Sequence, residues 1–290
     1  MNFGILTLAT QKDYLKAIGL SLSLRISNPE LKVAVACPKA VRPLVEEYFD
    51  YVVDQDPNFR GFEQKVNLDR YSPFEETLFF DSDILVFKPI RPYIEQWGTG
   101  AYVACGSFVI DGKSVFGMDR GEVRKALGKD KFVKIEGAGH GFFRKPACVE
   151  FFEKARYVTS RYRDYVGDIK YADEDAISIA MTMMDLSPVP YSDFFSRHLS
   201  ALPGTMDMDV VNGKCRFIAA NTGSPFEPCM MHFAANEAPI FYTRQLWSLF
   251  SHFGVPTKGL LGFGLRCYYQ RNIKNPAHYH RIRLKRLLLK

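Results

Sequence analysis

Ten residues, Thr77-Leu78-Phe79-Phe80-Asp81-Ser82-Asp83-Ile84-Leu85-Val86, constrain this chain more than any others. A buried apolar strand runs into two carboxylates and then resumes as a second apolar run. Carboxylates are costly inside a core unless they are paired or bind a metal. At the carboxyl end of a strand they face the cleft where open α/β sheets keep their ligands. The pattern predicts that Asp81 and Asp83 hold a divalent cation that carries a nucleotide diphosphate. Hard divalent ions take oxygen ligands plus substrate phosphates, and a single intervening serine lets both carboxylates reach one ion from a turn. A solvated turn between two strands is the alternative on local sequence alone.

The surrounding chain decides how much weight the pair carries. A D-x-D occurs about once by chance in a chain of this size, and this sequence has four, the others being Asp54-Gln55-Asp56, Asp173-Glu174-Asp175 and Asp207-Met208-Asp209. Only Asp81-Ser82-Asp83 follows one apolar run and precedes another. Upstream of it, Phe3 to Ala9 reads as a strand, residues 11–27 as a helix closed by Asn28-Pro29, and Lys32 to Cys37 as a strand stopped by Pro38. Residues 39–49 read as a helix, Tyr51-Val52-Val53 as a short strand, and 61–72 as a helix. Such alternation predicts an α/β fold with a mostly parallel sheet flanked by helices. Beyond Asp83, Tyr102 to Cys105 and Ser107 to Ile110 are expected to pair with each other. A helix over 146–165 and another from Asp173 follow, then short strands and turns over 186–231.

The chain is 290 residues long, enough for one large domain or a domain with an appendage. No apolar run reaches membrane-span length, and the N-terminus shows no basic leader or cleavage site, so a cytoplasmic protein is expected. The six cysteines show no tight spacing and read as reduced core thiols. The net charge of +6 is unevenly placed: ten of the 38 basic residues and none of the 32 acidic ones lie after Glu237. Residues 1–237 therefore carry a net charge of −4, 28 basic against 32 acidic side chains. Two parts are expected: a nucleotide-binding catalytic domain over 1–237 and a basic amphipathic helical segment over 238–290.

A phosphatase of the haloacid dehalogenase type also uses D-x-D after a strand, and Gly167-Asp168-Ile169-Lys170-Tyr171-Ala172-Asp173 echoes its distal acidic motif. Against it, that class places its motif after the first strand, whereas three expected strands come earlier here. The echo also follows a charged segment rather than an apolar strand.

Five short blocks, in order, resemble a GT-A glycosyltransferase, most closely glycosyltransferase family 8, the retaining group that includes glycogenin and bacterial lipooligosaccharide galactosyltransferases. Thr7-Leu8-Ala9-Thr10-Gln11-Lys12-Asp13-Tyr14 resembles the family's opening T-L-x-T-x-x-x-Y, which lines the uridine site. Lys65 matches a basic residue that contacts the donor, and Asp81-Ser82-Asp83 matches the metal motif. Asp173-Glu174-Asp175 resembles the acidic-amide pair beside the donor sugar, with Glu174 where glutamine is usual. His232, in Met231-His232-Phe233, matches the late histidine that completes the metal shell. Alone, Tyr14 reads as a core aromatic, Lys65 as a solvated lysine, and His232 as a satisfied core histidine.

The resemblance implies a GT-A fold with Mn²⁺ or Mg²⁺ held by Asp81, Asp83 and His232, and a UDP-linked sugar donor. It implies donor contacts from Leu8, Ala9, Thr10, Tyr14, Lys65 and Ser82. The catalytic carboxylates would be Asp173, Glu174 and Asp175. The family's usual N-x-G before the sugar pocket is altered to Gly139-His140-Gly141, so Gly139 and His140 become candidates for donor-sugar or acceptor contact. Ala238 replaces a lysine that would touch the donor phosphates, and Ile240 replaces a tryptophan. That loss keeps a second reading open, a degenerate fold that binds nucleotide sugars or membranes without turnover. The expected acceptor is a glycan or a lipid-linked sugar.

The segment His280-Arg281-Ile282-Arg283-Leu284-Lys285-Arg286-Leu287-Leu288-Leu289-Lys290 mixes cations with aliphatics, as do the residues before it. Basic amphipathic segments suit an anionic membrane face. Contact with the inner face of a membrane is expected rather than nucleic-acid binding.

Overall fold

The computed structural model describes residues 2–95, 100–135, 141–190, 195–197, 200–233 and 240–276. Its strands are β1 (Phe3–Leu8), β2 (Lys32–Cys37), β3 (Tyr51–Asp54), β4 (Glu76–Phe79), β5 (Ile84–Val86), β6 (Tyr102–Ala104) and β7 (Gly106–Val109). They continue as β8 (Phe132–Ile135), β9 (Gly141–Arg144), β10 (Phe195–Arg197), β11 (Asp207–Asp209), β12 (Lys214–Ile218), β13 (Pro225–Phe226) and β14 (Met230–His232). The helices are α1 (Tyr14–Ser27), α2 (Arg42–Val45), α3 (Leu68–Tyr71), α4 (Arg91–Glu95) and α5 (Arg120–Ala126). After them come α6 (Val149–Ser160), α7 (Tyr162–Val166), α8 (Asp173–Met183), α9 (Ile240–His252) and α10 (Lys258–Tyr269).

The main sheet has six strands in the order β3-β2-β1-β4-β9-β6. Its first four strands run parallel, and β9 runs antiparallel to both β4 and β6. Parallel strands are covered on both faces, so they read as continuous apolar runs, and alternate residues serve different cores. Ile5, Val33, Val35, Leu78 and Phe142 face one core, which also holds residues of α1, α9 and α10. Leu6, Ala34, Ala36, Phe79 and Phe143 face the other, with residues of α6 and α8. Helix α1 is buried along its whole middle, Leu15 to Leu24, because α9 covers the side that the sheet does not. Gly19 allows this: a Cβ there would lie 2.2 Å from Leu246 Cδ2.

After β4 the chain turns through Asp81 to Asp83 and leaves the main sheet. Strand β5 joins a second sheet in the order β10-β14-β5, with His232 opposite Ile84. This crossover matters for the site. It carries His232, 149 positions further along the chain, to the Asp81-Ser82-Asp83 turn, and the Phe233 N–H donates to Asp83 O at 2.8 Å.

Several expected elements take other forms. Residues 61–72 form a 3₁₀ segment, Gly61–Asn67, followed by the single turn α3, and 39–49 split into α2 and a 3₁₀ turn, Glu46–Tyr48. The helix expected over 146–165 starts at Val149 and divides at Arg161 into α6 and α7. Strands β6 and β7 do not pair with each other. Only Cys105 separates them, too little chain to reverse direction, so β6 pairs with β9 and β7 with β8. The tail residues from 277 onward lie outside the described residues.

Candidate active site

Three ligating atoms meet where β4 ends. One oxygen each of Asp81 and Asp83 and one nitrogen of His232 all lie within 4.8 Å of one another. His232 Nε2 is 3.0 Å from Asp83 Oδ1, and both residues are buried. Two carboxylates and an imidazole are the oxygen and nitrogen donors that Mn²⁺ and Mg²⁺ accept. The group therefore fits the implied ion.

Two buried lysines neutralise the carboxylates. Lys65 Nζ sits 2.7 Å from Asp81 Oδ1 and 2.8 Å from Asp173 Oδ2, tying the end of β4 to the first turn of α8. Lys16 Nζ, from α1, lies 3.3 Å from Asp83 Oδ2. Burial by itself would lower the Lys65 pKa, but Asp173 and Asp81 more than offset it and hold the ammonium charged. Burial would also raise Asp83; Lys16 and His232 instead hold that carboxyl well below the usual range. Asp81 is pushed upward by burial against the pull of Lys65.

The three acidic residues that open α8 complement the positive end of the helix dipole, and they divide by environment. Asp173 points at Lys65. Burial pushes the Glu174 carboxyl up to about 7, with Asp175 and Asp173 adding to the shift and Arg120 and Lys134 opposing it. Asp175, 2% exposed, accepts from Ser114 Oγ at 2.9 Å and Tyr162 OH at 3.2 Å. Those bonds fasten α8 to the 111–119 loop and to α7.

Of the expected donor contacts, Thr10 has its N–H and its Oγ1 both directed at Asp13 Oδ1. The Ala9 N–H donates to Ala36 O at 3.0 Å, and the Ala9 carbonyl accepts from Gln55 Nε2 at 3.4 Å. Leu8 and Ser82 are partly exposed, and Tyr14 is half-buried near the start of α1. Gly139, His140 and Ala238 lie outside the described residues. Lys16, Asp13 and Arg120 were not anticipated. Lys16 did carry a signal: a lone cation between Leu15 and Ala17 in an apolar helix is buried only when it is paired.

No protein-family model and no curated protein matches the chain. Solved structures do. The galactosyltransferase LgtC, in complex with donor and acceptor sugar analogues, aligns at 15% identity over 90% of this chain and 99% of its own, with a TM-score of 0.57. An active-site glutamine-to-glutamate variant of LgtC aligns at 14% identity over 90% of this chain and 99% of its own, with a TM-score of 0.55. The bifunctional glycosyltransferase WbbM aligns at 14% identity over 91% of this chain but only 51% of its own length, with a TM-score of 0.57. The chain thus has the GT-A glycosyltransferase fold, mixed α/β with a mostly parallel sheet between helices. Within that fold its likeness runs to LgtC over nearly the whole of both chains. The phosphatase alternative does not survive this architecture, since three strands precede β4 in the chain.

Proposed function

We propose that this chain is a metal-dependent glycosyltransferase that moves a sugar from a nucleotide-diphosphate sugar to a glycan or lipid-linked acceptor. One observation carries the reading: in a GT-A fold, Lys65 joins the Asp81, Asp83 and His232 group directly to Asp173 on the first turn of α8. A metal site and a carboxylate cluster held by one buried cation suit a reaction that loosens a bond between a sugar and a diphosphate.

Asp81, Asp83 and His232 would hold Mn²⁺ or Mg²⁺, which supplies Lewis-acid neutralisation of the leaving diphosphate. The chain's own groups do the rest. Lys65 keeps Asp81 and Asp173 in fixed relation and adds a positive charge beside the phosphates. Asp173 and Glu174 meet the sugar ring, and Tyr14 stacks on the base. Asp175 contributes by fixing α8 through Ser114 and Tyr162. A UDP donor and a retaining outcome follow from the family resemblance. LgtC was crystallised with donor and acceptor sugar analogues, which supports testing this chain with both. Residues 1–237 are assigned to this chemistry and 238–290 to an accessory segment. Six free cysteines fit a cytoplasmic setting.

Thermal-shift and nucleotide-release measurements across UDP- and GDP-sugars with Mn²⁺ test the reading. Stabilisation and UDP release with one sugar are expected; no response to any nucleotide sugar would sink it. The alternative, a module that binds without turnover, draws on the replacement at Ala238. Stabilisation by UDP-sugars without any UDP release, with or without acceptor, would favour it.

A further inference from the structure

Helix α10 has apolar residues on both of its sides, and among the described residues only one side packs into the core. Leu260, Phe263 and Cys267 are 0%, 4% and 7% exposed and belong to the core that α1 and α9 share. Phe263 meets the Tyr242 ring with centroids 6.2 Å apart. At about 100° per residue these three span an arc of about 60°. Leu261, Leu265 and Tyr268 span a similar arc on the other side of the helix, and they are 64%, 61% and 47% exposed. Tyr269 and Ile273 extend that stripe at 50% and 60% exposure, and Trp247 on α9 is 46% exposed. A helix in a globular protein ordinarily turns polar residues outward; contiguous exposed apolar surface marks an interaction site.

The charges beside the stripe indicate what covers it. Lys258, Arg266, Arg271 and Lys274 lie on α10 or just after it, and the chain has no aspartate or glutamate anywhere beyond Glu237. At 12 residues α10 is about 18 Å long, shorter than a bilayer's hydrocarbon core of about 30 Å. Its geometry is that of a helix lying along an interface, with aliphatic and aromatic side chains inward and cations at the headgroups. Tyrosine and tryptophan suit the same depth, since each has an apolar body and a polar edge.

We propose that the exposed face of α10, centred on Leu261, Leu265 and Tyr268, docks the protein on an anionic lipid surface. The proposal is independent of the sugar-transfer reading, because its readout is binding alone.

Co-sedimentation of the full chain with vesicles of phosphatidylcholine, with and without phosphatidylglycerol, tests it. Binding to the anionic vesicles is expected, weakening as salt screens the cations. Leu261→Asp/Leu265→Asp is expected to cut the bound fraction by about tenfold or more, since two aliphatic anchors are lost and two like charges face the lipid. Both positions are exposed, so the thermal midpoint and nucleotide release from a soluble donor should stay unchanged. Lys258→Glu/Arg266→Glu should reduce binding to anionic vesicles while leaving the apolar stripe intact. Failure of the unaltered protein to sediment with either vesicle would overturn the proposal. So would undiminished binding by the Leu261→Asp/Leu265→Asp variant. If light scattering instead shows a dimer that this variant dissociates, with no vesicle binding, the face joins two copies of the chain and the lipid proposal fails.

Discussion

The Lys16 ammonium lies 3.3 Å from Asp83 Oδ2, with the two side chains 5% and 12% exposed. A cation from the first helix thus pairs with the second aspartate of Asp81-Ser82-Asp83. Removing one partner of a buried ion pair leaves an uncompensated charge, at a cost of about 3–5 kcal/mol. Lys16→Met should therefore lower the unfolding free energy by that order in the metal-free protein. Mn²⁺ should restore part of the loss, because it brings positive charge back to Asp83. Denaturant titrations with EDTA and with Mn²⁺ measure both effects; an equal loss under the two conditions would separate Lys16 from the metal.

Lys65 touches Asp81 and Asp173 at once. Lys65→Met should leave two carboxylates facing each other without their shared cation. Losing a fixed charge beside developing negative charge costs about 10²–10³-fold in rate. The expected result is a kcat lowered on that scale, with a much smaller change in KM. A variant that loses only KM would assign Lys65 to donor binding rather than to the reaction.

These two lysines show where the sequence speaks and where it does not. The succession of elements along the chain as far as β4, the place of Asp81 and Asp83 at a strand end, and the helix opening at Asp173 all follow from local apolar runs and helical spacing. The meeting of His232 with Asp83 depends on β5 crossing to a second sheet and pairing with β14, a long-range choice that local periodicity does not encode. Lys16 is legible only as an oddity, a cation in an apolar helix, because its partner lies 67 residues away. Thr10 shows the opposite limit. The resemblance implies a donor contact there, and the fold adds a partner it does not name: the Thr10 N–H and hydroxyl both turn to Asp13, a residue the motif leaves unspecified.

Glu174 carries a pH prediction. Its carboxyl is raised from an ordinary 4.5 to about 7 by burial, then by Asp175 and Asp173. An acid raised on folding stabilises the fold while it is protonated, and that contribution is lost as pH rises from about 4.5 through about 7. A protonated carboxyl is a hydrogen-bond donor, as a glutamine amide is. Glu174→Gln should remove the pH dependence of stability across this window and hold activity level above pH 7. Unchanged pH profiles of thermal midpoint and of kcat would show that Glu174 is ionised throughout.

Asp81→Asn and His232→Ala each remove one ligand from the metal group. Neither should unfold the protein, because Asp83, Lys16 and Lys65 remain, but both should abolish stabilisation by Mn²⁺. For the unaltered protein that stabilisation reaches about 2.7 kcal/mol when the ion is at about 100 times its dissociation constant. Thermal shift against Mn²⁺, Mg²⁺ and Ca²⁺ reads this directly. Retention of the full Mn²⁺ shift by both variants would place the ion elsewhere.

The helix that carries Lys16 is positioned by α9, and Gly19 is where they approach. A Cβ at Gly19 would lie 2.2 Å from Leu246 Cδ2, and Leu246 is 0% exposed, so the leucine has little room to retreat. Gly19→Ala should destabilise by about 1–3 kcal/mol through overpacking. Leu246→Ala should cost about 2–5 kcal/mol through the cavity it leaves. Together the two changes are complementary, since the new methyl enters the space the leucine vacates. The double variant should therefore lose clearly less than the sum of the single losses, with a coupling of about 0.5–3 kcal/mol. Because Gly19 is one helical turn from Lys16, the single Gly19→Ala variant should also weaken Mn²⁺ binding, and the double variant should recover it. Strict additivity in stability, with metal affinity unmoved in all three proteins, would show that α9 seats on α1 without setting the position of Lys16.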